Sequence, residues 1–196
     1  MIANKEQQSY PIITPPDGEN RILLHSCCAP CSCEIMETLQ RSNISFTVFF
    51  YNPNIDSEVE YEKRKIENIK FAAKLNIPFV DADYDNVNWI KAIEGYEGEP
   101  ERGKRCTLCF EVRLIRTAQY AFDNGFKVFT SSLGISRWKD FDQITQCGIK
   151  AASTFPNLIY WIYNWRKKGG SNRMAEISRR EKFYQQQYCG CIFSKK

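Results

Sequence analysis

The amino-acid sequence predicts an α/β fold, in which a Rossmann-like parallel sheet is flanked by helices and a helical basic segment follows at the C-terminus. Short runs rich in β-branched and aromatic residues alternate with longer segments of helical periodicity, the pattern of parallel strands joined by helices. The turn at residues 26–33 and the stretch at residues 132–140 each follow one of these runs. Both are therefore expected at the carboxyl edge of the sheet, where α/β folds place their sites.

Four strands are predicted from these runs. Residues 21–25 (RILLH) form a short buried strand, and residues 45–51 form a second one that is rich in aromatic side chains. Residues 78–83 and 127–131 provide the third and the fourth, whereas residues 158–163 are read as either a further strand or a buried turn.

The intervening segments are predicted to be helical. The first helix begins near Glu34 and carries Ile35, Met36 and Leu39 on one side. A second helix is expected at residues 56–75, with Asp56 or Ser57 as its cap and with Val59, Ile66, Ile69 and Ala73 on one face. A long helix is expected from about Cys106 to a C-cap at Asn124 and Gly125, with Leu108, Val112, Ile115 and Phe122 on one face. The remaining helices are expected near residues 89–94, at residues 138–152 and at residues 172–187.

The length of 196 residues predicts one domain, with residues 1–20 as a loose polar lead-in and residues 21–196 as a single α/β domain. Hydrophobic residues make up 43% and charged residues 26%, the composition of an ordinary globular protein. No apolar run is long enough to span a membrane, and the N-terminus lacks the apolar core of a signal peptide. We therefore expect a cytoplasmic protein without a membrane partner.

Positive charge is concentrated near the C-terminus. Residues 164–196 contain nine Lys and Arg against two Glu, so this segment carries +7 while the rest of the chain carries −3. Such a block is typical of a polyanion-binding face, although a solvated helix face has the same pattern. Aromatic residues interleaved with the cations suit either stacking on unpaired bases or a core: Trp161, Tyr163, Trp165, Phe183, Tyr184 and Tyr188.

Nine cysteines indicate metal or redox chemistry, because an odd count without a signal peptide does not fit a secreted disulfide framework. Cys27 and Cys28 with Cys106 and Cys109 provide enough thiolates for zinc or for a 4Fe-4S cluster. The adjacent first pair favours the larger cluster, since neighbouring side chains rarely chelate one small ion. Because His25 is the single histidine, sites that need two are excluded, and His25 is read as a hydrogen-bonded residue of the core or behind the metal ligands.

Cys106 and Cys109 lie at a predicted helix start. The helix dipole together with Lys104, Arg105 and Arg113 is expected to lower the pKa of both thiols, which suits a ligand or a redox dithiol. A thioredoxin-like exchange motif is the alternative, but the preceding segment is a glycine-rich loop and not a strand.

Cys189 and Cys191 are separated only by Gly190, so a disulfide between them would close a small, strained and readily reduced ring. That chemistry suits an electron relay; additional metal ligands or free thiols are the alternatives. Cys33 and Cys147 are read as packed thiols without a role.

Six separated strings resemble the cobalamin-independent epoxyqueuosine reductase family (QueH type). They extend from Leu23 to Ser194 and so cover nearly the whole chain. The strings are LLHSCCAPCS, FFYNPNI with EYEKR, GEPERGKRCTLCFEVRL, TSSLGISR and FYQQQYCGCIFS. The stretches at residues 131–140 and 169–170 differ from the family pattern, so no substrate contact is carried over to them.

The resemblance implies reduction of epoxyqueuosine to queuosine at the wobble position of tRNA, the final step of queuosine biosynthesis, by an oxidoreductase with an unknown electron donor. It also implies a 4Fe-4S cluster on Cys27, Cys28, Cys106 and Cys109, a redox-active disulfide pair of Cys189 and Cys191, and an additional adjacent metal ion, iron, with Cys31 as its candidate ligand. Protons would come from a carboxylic acid or water, and Asp81, Asp83, Asp140 and Asp142 are left open as donors.

Two other functions remain as alternatives at this stage. Another tRNA-modifying α/β enzyme, such as a tRNA thiolase, commonly carries a glycine-rich ATP-binding loop after the first strand, where this chain has HSCCAPCS. A cysteine-rich zinc-binding RNA module without catalysis is the second alternative.

Overall fold

The computed structural model describes residues 10–195. Five parallel strands form one sheet in the order β3-β2-β1-β4-β5. The strands are β1 (Arg21–His25), β2 (Ser45–Phe50), β3 (Phe79–Asp81), β4 (Val128–Ser131) and β5 (Ile159–Tyr160), and the helices are α1 (Ala29–Arg41), α2 (Glu58–Lys74), α3 (Asn86–Ala92), α4 (Lys104–Asp123), α5 (Phe141–Ser153) and α6 (Gly170–Arg180).

The predicted α/β class and the four predicted strands are confirmed, and residues 158–163 contribute the short edge strand β5. Residues 10–20 contain one 3-10 turn at Pro16–Gly18 and no strand or α-helix, while residues 1–9 of the predicted lead-in lie outside the described residues. Within the described part of the chain, every helix falls short of the length and hydropathy that a membrane crossing requires.

Alternate residues of the central strands face two separate cores. Leu23 packs on one face of the sheet, under α4 and α5, with Phe49 and Phe129 from the neighbouring strands. Ile22 and Leu24 point to the other face, under α1 and α6. This alternation in strands covered on both faces explains why they read as continuous apolar runs.

Helix α1 begins at Ala29, earlier than the predicted start near Glu34, with Cys28 as its N-cap and Pro30 in its first turn. Proline is favoured there because the first N–H groups of a helix have no partner within it. The predicted cysteine-rich turn is therefore short, and Cys31 and Cys33 are helical residues. The helix buries the apolar side that the sequence indicates.

The apolar face of α2 points outward. Val59, Ile66 and Ile69 are all exposed, whereas Glu60, Arg64, Tyr61, Asn68 and Phe71 are among the residues that face the protein. The inner face of α2 provides hydrogen bonds to the carboxyl edge of the sheet as well as core contacts, so polar residues of this helix are buried while the apolar residues of its predicted face are exposed. The predicted face of α4 is only partly buried: Leu108 and Val112 pack against an apolar cluster, whereas Ile115 and Phe122 are exposed. The buried face of α4 combines apolar residues such as Phe110 and Leu114 with Arg105 and Arg113.

The basic C-terminal helix is shorter than predicted. Helix α6 ends at Arg180, and residues 181–195 turn back across the carboxyl edge of the sheet. Its Arg173 is buried against Glu34 of α1 at 2.6 Å. Helix α5 also starts later than predicted, at Phe141, because the Asp140 side chain accepts the Gln143 N–H at 2.9 Å and caps it.

Candidate metal centre

Three cysteines lie together where β1 ends and α1 begins. The Sγ atoms of Cys27, Cys28 and Cys31 all lie within 4.8 Å of one another, and those of Cys27 and Cys28 are 3.8 Å apart. Cys28 caps α1 and Cys31 follows in its first turn, so the helix start returns the third sulfur to the first two. The structure thus brings the candidate ligand Cys31 into the same group as Cys27 and Cys28.

Buried hydrogen bonds hold this turn in place. The Ser132 hydroxyl, just beyond β4, accepts the Cys27 N–H at 3.0 Å and donates to the Cys27 Sγ at 3.3 Å. The Ser26 hydroxyl donates to the Asn68 side-chain oxygen at 2.6 Å, and Asn52 donates to the Ser26 carbonyl at 2.9 Å. Partners behind the ligands orient them, so the turn is prepared for metal binding before any ion arrives.

The three thiols hold their protons unequally. Hydrogen bonds from Cys28 and Cys31 hold the pKa of Cys27 well below its usual value, although burial opposes the shift. Lys139 and Arg113 add to this lowering. The hydrogen bond with Cys27 raises the pKa of Cys28 to about 12 and also raises the pKa of Cys31. Metal binding must therefore displace protons from Cys28 and Cys31, which couples metal affinity to pH.

Cys106 and Cys109 lie in the first turns of α4 and approach the same edge of the sheet. The Cys106 Sγ accepts the Arg102 N–H at 3.3 Å, and Cys106 packs against the apolar cluster that contains Cys27 and Cys28. Cys109 is buried. The second cysteine pair thus lies on the sheet face where the first group begins.

The predicted lowering of the pKa of these two thiols is wrong. Burial raises the pKa of Cys106, and it raises the pKa of Cys109 to about 11 although Arg113 acts in the opposite direction. Arg105 donates to the Glu97 carbonyl at 2.6 Å and also to the Glu99 carbonyl, so its guanidinium serves the preceding loop. Desolvation of the thiolate outweighs the helix dipole and the neighbouring cations.

The C-terminal segment brings Cys189 and Cys191 to the second cysteine pair. Cys191 is buried in one apolar cluster with Cys109 and Trp89, whereas Cys189 is exposed. Charges on Cys189 and Cys191 contribute to the raised pKa of Cys106 and of Cys109. The third cysteine pair therefore faces the second one.

Arg64 of α2 binds the C-terminal segment that carries Cys189 and Cys191. Its guanidinium donates to the carbonyls of Cys189 at 3.1 Å and Tyr188 at 3.4 Å, and the Asp56 N–H donates to the Gly190 carbonyl at 3.0 Å. Gly190 has a φ of +131°, which favours glycine. The same Arg64 lies beside Cys28, whose charge raises the pKa of the guanidinium against the effect of burial.

Lys139 interacts electrostatically with cysteines of both the first group and the C-terminal pair. Burial alone would lower the pKa of its ammonium, but the charges of Cys189, Cys27 and Cys31 hold that pKa above its usual value. The sequence provides no signal for Lys139, because its approach depends on a loop that the hydrophobic pattern does not describe. Two further groups that sequence reasoning missed touch sulfur directly: Ser132 on Cys27, and Gln186, whose side-chain nitrogen lies 2.8 Å from the Cys28 Sγ.

His25 is fully buried between two strands. Its Nδ1 lies 2.8 Å from the Ser131 hydroxyl and its Nε2 lies 3.1 Å from the Tyr51 carbonyl. Because the carbonyl only accepts, Nε2 carries the proton and the Ser131 hydroxyl donates to Nδ1. Burial lowers the pKa of His25 to about 3, so the imidazole is neutral and structural, as the sequence indicates.

The two remaining cysteines and two of the possible proton donors make contacts outside the three cysteine groups. Cys33 faces the opposite core and donates to the Pro30 carbonyl at 3.3 Å, and Cys147 donates to the Thr107 carbonyl at 3.7 Å. Of the possible proton donors, Asp140 caps α5, and Asp81 accepts from Tyr61 at 2.8 Å and pairs with Lys65 at 2.8 Å.

Comparison with known proteins gives the family. The family model described as epoxyqueuosine reductase QueH matches residues 22–196. The chain belongs to this family. Epoxyqueuosine reductase QueH of Acinetobacter baylyi is 62% identical over 179 residues, which are 91% of this chain and 82% of that protein. Epoxyqueuosine reductase QueH of Histophilus somni is 60% identical over 193 residues, which are 96% of this chain and 79% of that protein. This QueH family member is therefore an oxidoreductase.

A solved structure supports the fold. The U34-tRNA thiolase NcsA from Methanococcus maripaludis, solved with its 4Fe-4S cluster, matches with a TM-score of 0.59 and 12% identity, over 91% of this chain and 62% of that one. At that identity the likeness shows that the QueH chain shares the Rossmann-like fold of a thiolase-type enzyme. The predicted Rossmann-like sheet is confirmed.

The residues present fit an iron–sulfur group. The three sulfurs within 4.8 Å of one another do not include those of Cys106 and Cys109, and a four-iron cluster needs four ligands. Cys106 packs against the apolar cluster that contains Cys27 and Cys28, whereas Cys109 packs beside Cys191. Iron–sulfur clusters bound by thiolates are anionic, and nearby cations compensate for that charge. The cations near the sulfurs are Lys139, Arg113 beside Cys27 and Cys109, and Arg64 beside Cys28.

Proposed function

We propose that this enzyme reduces epoxyqueuosine to queuosine at the wobble position of tRNA, with a 4Fe-4S cluster bound by Cys27, Cys28, Cys106 and Cys109. Cys31 would hold an additional adjacent iron. The observation that carries the proposal is the group of three cysteine sulfurs at the carboxyl edge of the sheet, two of them on buried residues, with Cys106 of α4 packed against the same apolar cluster. A cytoplasmic location follows from the tRNA substrate and is part of the proposal.

The reaction breaks both C–O bonds of the epoxide, forms a C=C bond and releases the oxygen as water, which requires two electrons and two protons. When bound, a 4Fe-4S cluster supplies electrons singly, and an iron ion polarises the departing oxygen. The chain's own residues bind the substrate, provide the electron and proton store, and stabilise charge.

Cys189 and Cys191 would be the redox-active pair. Oxidation of two thiols to a disulfide releases two electrons and two protons, the amounts that the epoxide consumes. Cys189 is exposed, so an external reductant can reach it, while Cys191 is buried beside Cys109. An electron donor that we do not identify would then reduce the disulfide for the next turnover.

Lys139 is suited to the departing oxygen. Its ammonium lies within electrostatic range of Cys27, Cys31 and Cys189, and a fixed cation stabilises negative charge as it develops. We therefore assign it the role of hydrogen-bond donor to the epoxide oxygen, ahead of Asp140 and Asp81, whose carboxylates are engaged elsewhere.

The basic segment contributes less to tRNA binding than its composition suggests. Arg173 and Arg180 pair with Glu34 and Glu37, and Lys195 pairs with Asp56. Among residues 164–195, the exposed cations that remain for phosphate contact are Lys167, Lys168, Arg179 and Lys182. The interleaved Trp161 and Trp165 are buried in the core beneath α1 and α6.

The decisive experiment is anaerobic reconstitution followed by reaction with epoxyqueuosine-containing tRNA and nucleoside analysis by mass spectrometry. We expect a brown protein and loss of one oxygen atom from the nucleoside. Cys106→Ala should lose the iron and the activity, whereas Cys191→Ala should retain the iron but turn over slowly. A colourless protein that binds stoichiometric zinc and leaves the nucleoside unchanged would instead support the zinc-binding RNA module.

A further inference from the structure

One of the four tryptophans is exposed, and it lies on a loop that Arg102 connects to Cys106. Trp138 is 67% exposed, whereas Trp89, Trp161 and Trp165 are between 1% and 6% exposed. It belongs to the loop of residues 136–139, which connects the 3-10 turn after β4 to α5. An exposed indole at this position is a candidate contact surface for a ligand or a partner.

Two arginines hold the loop from below. Arg102 donates to the carbonyls of Trp138 at 2.9 Å and Arg137 at 3.3 Å. Arg166 donates to the carbonyls of Ser136 at 2.6 Å and Lys139 at 2.8 Å. Four consecutive carbonyls are therefore bound by guanidinium groups, which fixes the backbone that presents the indole.

The same contacts tie the loop to the cysteines. The Arg102 N–H donates to the Cys106 Sγ at 3.3 Å, so one residue links the indole's backbone to a candidate ligand. On the other side of Trp138, the Lys139 ammonium lies within electrostatic range of Cys27, Cys31 and Cys189. A nucleotide whose base reaches these sulfurs would have its neighbour close to Trp138.

The charge around the indole favours a polyanion. The Arg137 guanidinium lies over the Trp138 ring at 4.8 Å from its centroid, and Arg102, Lys139 and Arg166 add three cations at the same loop. The nearest carboxylate in sequence, Asp140, is occupied by the Gln143 N–H. An aromatic ring among cations matches an unpaired nucleotide, which offers a flat base and a phosphate together.

We propose that Trp138, together with Arg137, is a stacking platform for an unpaired anticodon-loop nucleotide that flanks the reacting base. This inference rests on the proposed function. Trp138 binds and positions the RNA and takes no part in electron or proton transfer. The rigid loop keeps the platform at a constant distance from the cysteines, so that stacking of one base sets the position of the next.

The test compares Trp138→Ala and Trp138→Phe with Phe122→Ala, in the reconstituted enzyme. Phe122 is also an exposed aromatic residue, but it lies at the opposite end of α4 from the cysteines. Affinity for a fluorescent anticodon stem-loop that carries epoxyqueuosine is measured by anisotropy, and kcat and KM are measured with dithionite as the reductant. Trp138→Ala should raise Kd and KM by about 5-fold to 100-fold, the range of base–aromatic stacking, with kcat and iron content unchanged.

Trp138→Phe should recover most of the affinity, because phenylalanine retains a stacking face, and Phe122→Ala should bind like the wild type. Wild-type Kd and KM for Trp138→Ala, while the wild type reduces the nucleoside, would overturn the platform and leave the proposed function intact. An effect on kcat seen only when a protein replaces dithionite as reductant would also overturn it and assign Trp138 to a protein partner. A wild type that neither binds nor reduces the RNA would refute both proposals.

Discussion

Gly190→Ala should detach the pair Cys189 and Cys191 from the site without unfolding the protein. Gly190 has a φ of +131°, a conformation that costs a side-chain-bearing residue about 1–3 kcal/mol. A methyl group there would also meet Asn54 Nδ2 at 3.0 Å, Arg64 Nη1 at 3.1 Å and Ile55 Cγ1 at 3.3 Å, all closer than ordinary contact. We expect a local cost of about 2–4 kcal/mol from the two effects together.

That cost is similar to the contribution of the backbone hydrogen bonds beside Gly190. Three hydrogen bonds fix the carbonyls of Tyr188, Cys189 and Gly190 to Arg64 and Asp56. At about 0.5–1.5 kcal/mol each, they contribute about 2–4 kcal/mol. Their loss should lower the population of the attached segment by about 30-fold for each 2 kcal/mol, while the sheet and the first cysteine group are untouched.

The assay compares single and multiple turnover of epoxyqueuosine-containing tRNA, with iron content and the urea unfolding midpoint measured on the same samples. Gly190→Ala should retain its iron, lower the free energy of unfolding by no more than about 2–4 kcal/mol, and turn over at least about 2-fold more slowly, because at most about half of the molecules keep the segment attached. Gly125→Ala is the matched control. Gly125 also has a positive φ, of +68°, but a methyl group added there would meet no atom within 4 Å, and the residue lies at the far end of α4. Wild-type turnover by Gly190→Ala would refute the relay, and loss of iron would reassign the pair as metal ligands.

Three further outcomes are expected. Arg173→Ala should lower the free energy of unfolding by about 3–5 kcal/mol in urea, because it leaves the Glu34 carboxylate buried without its partner; the exposed Arg179→Ala should change it little, and equal effects would contradict this account. Ser132→Ala removes a hydrogen bond to the Cys27 sulfur and should make the reduction potential of the reconstituted cluster more negative in a potentiometric titration; an unchanged potential would mean that Cys27 is not a ligand. Asp140→Asn should keep both stability and activity, since asparagine caps helices as well as aspartate does; a collapse of kcat at normal iron content would make Asp140 the proton donor.

Much of the architecture can be predicted from local patterns. The strands are recognisable because their side chains are buried on both faces, as with Ile22, Leu23 and Leu24. The predicted start of α1 is too late because the cysteine-rich turn hides the proline signal at Pro30. Once the helix starts at Ala29, the approach of Cys31 to Cys28 follows from one helical turn.

The faces of α2 and α4 cannot be predicted from hydrophobic periodicity. That rule assumes that the buried face is apolar, but here the buried faces carry Arg64, Asn68, Arg105 and Arg113. Arg64, Asn68 and Arg113 serve long-range contacts that only the fold creates, and Arg105 binds carbonyls of the loop before α4. The predicted pKa of Cys109 is wrong for a related reason, since the sequence shows nearby cations but not the depth of burial that outweighs them.

The polar face of α2 explains how the cysteine groups are kept in one arrangement. Arg64 pairs with Glu60 at 2.7 Å, lies beside Cys28 and binds the carbonyls that precede Gly190. One guanidinium therefore compensates charge at the first cysteine group and positions the third. An apolar face would bury more hydrophobic area, but it would leave those carbonyls and the thiolate without a donor, and buried unpaired groups of that kind are costly. The exposed apolar stripe of α2 is thus the consequence of using its inner face for the site.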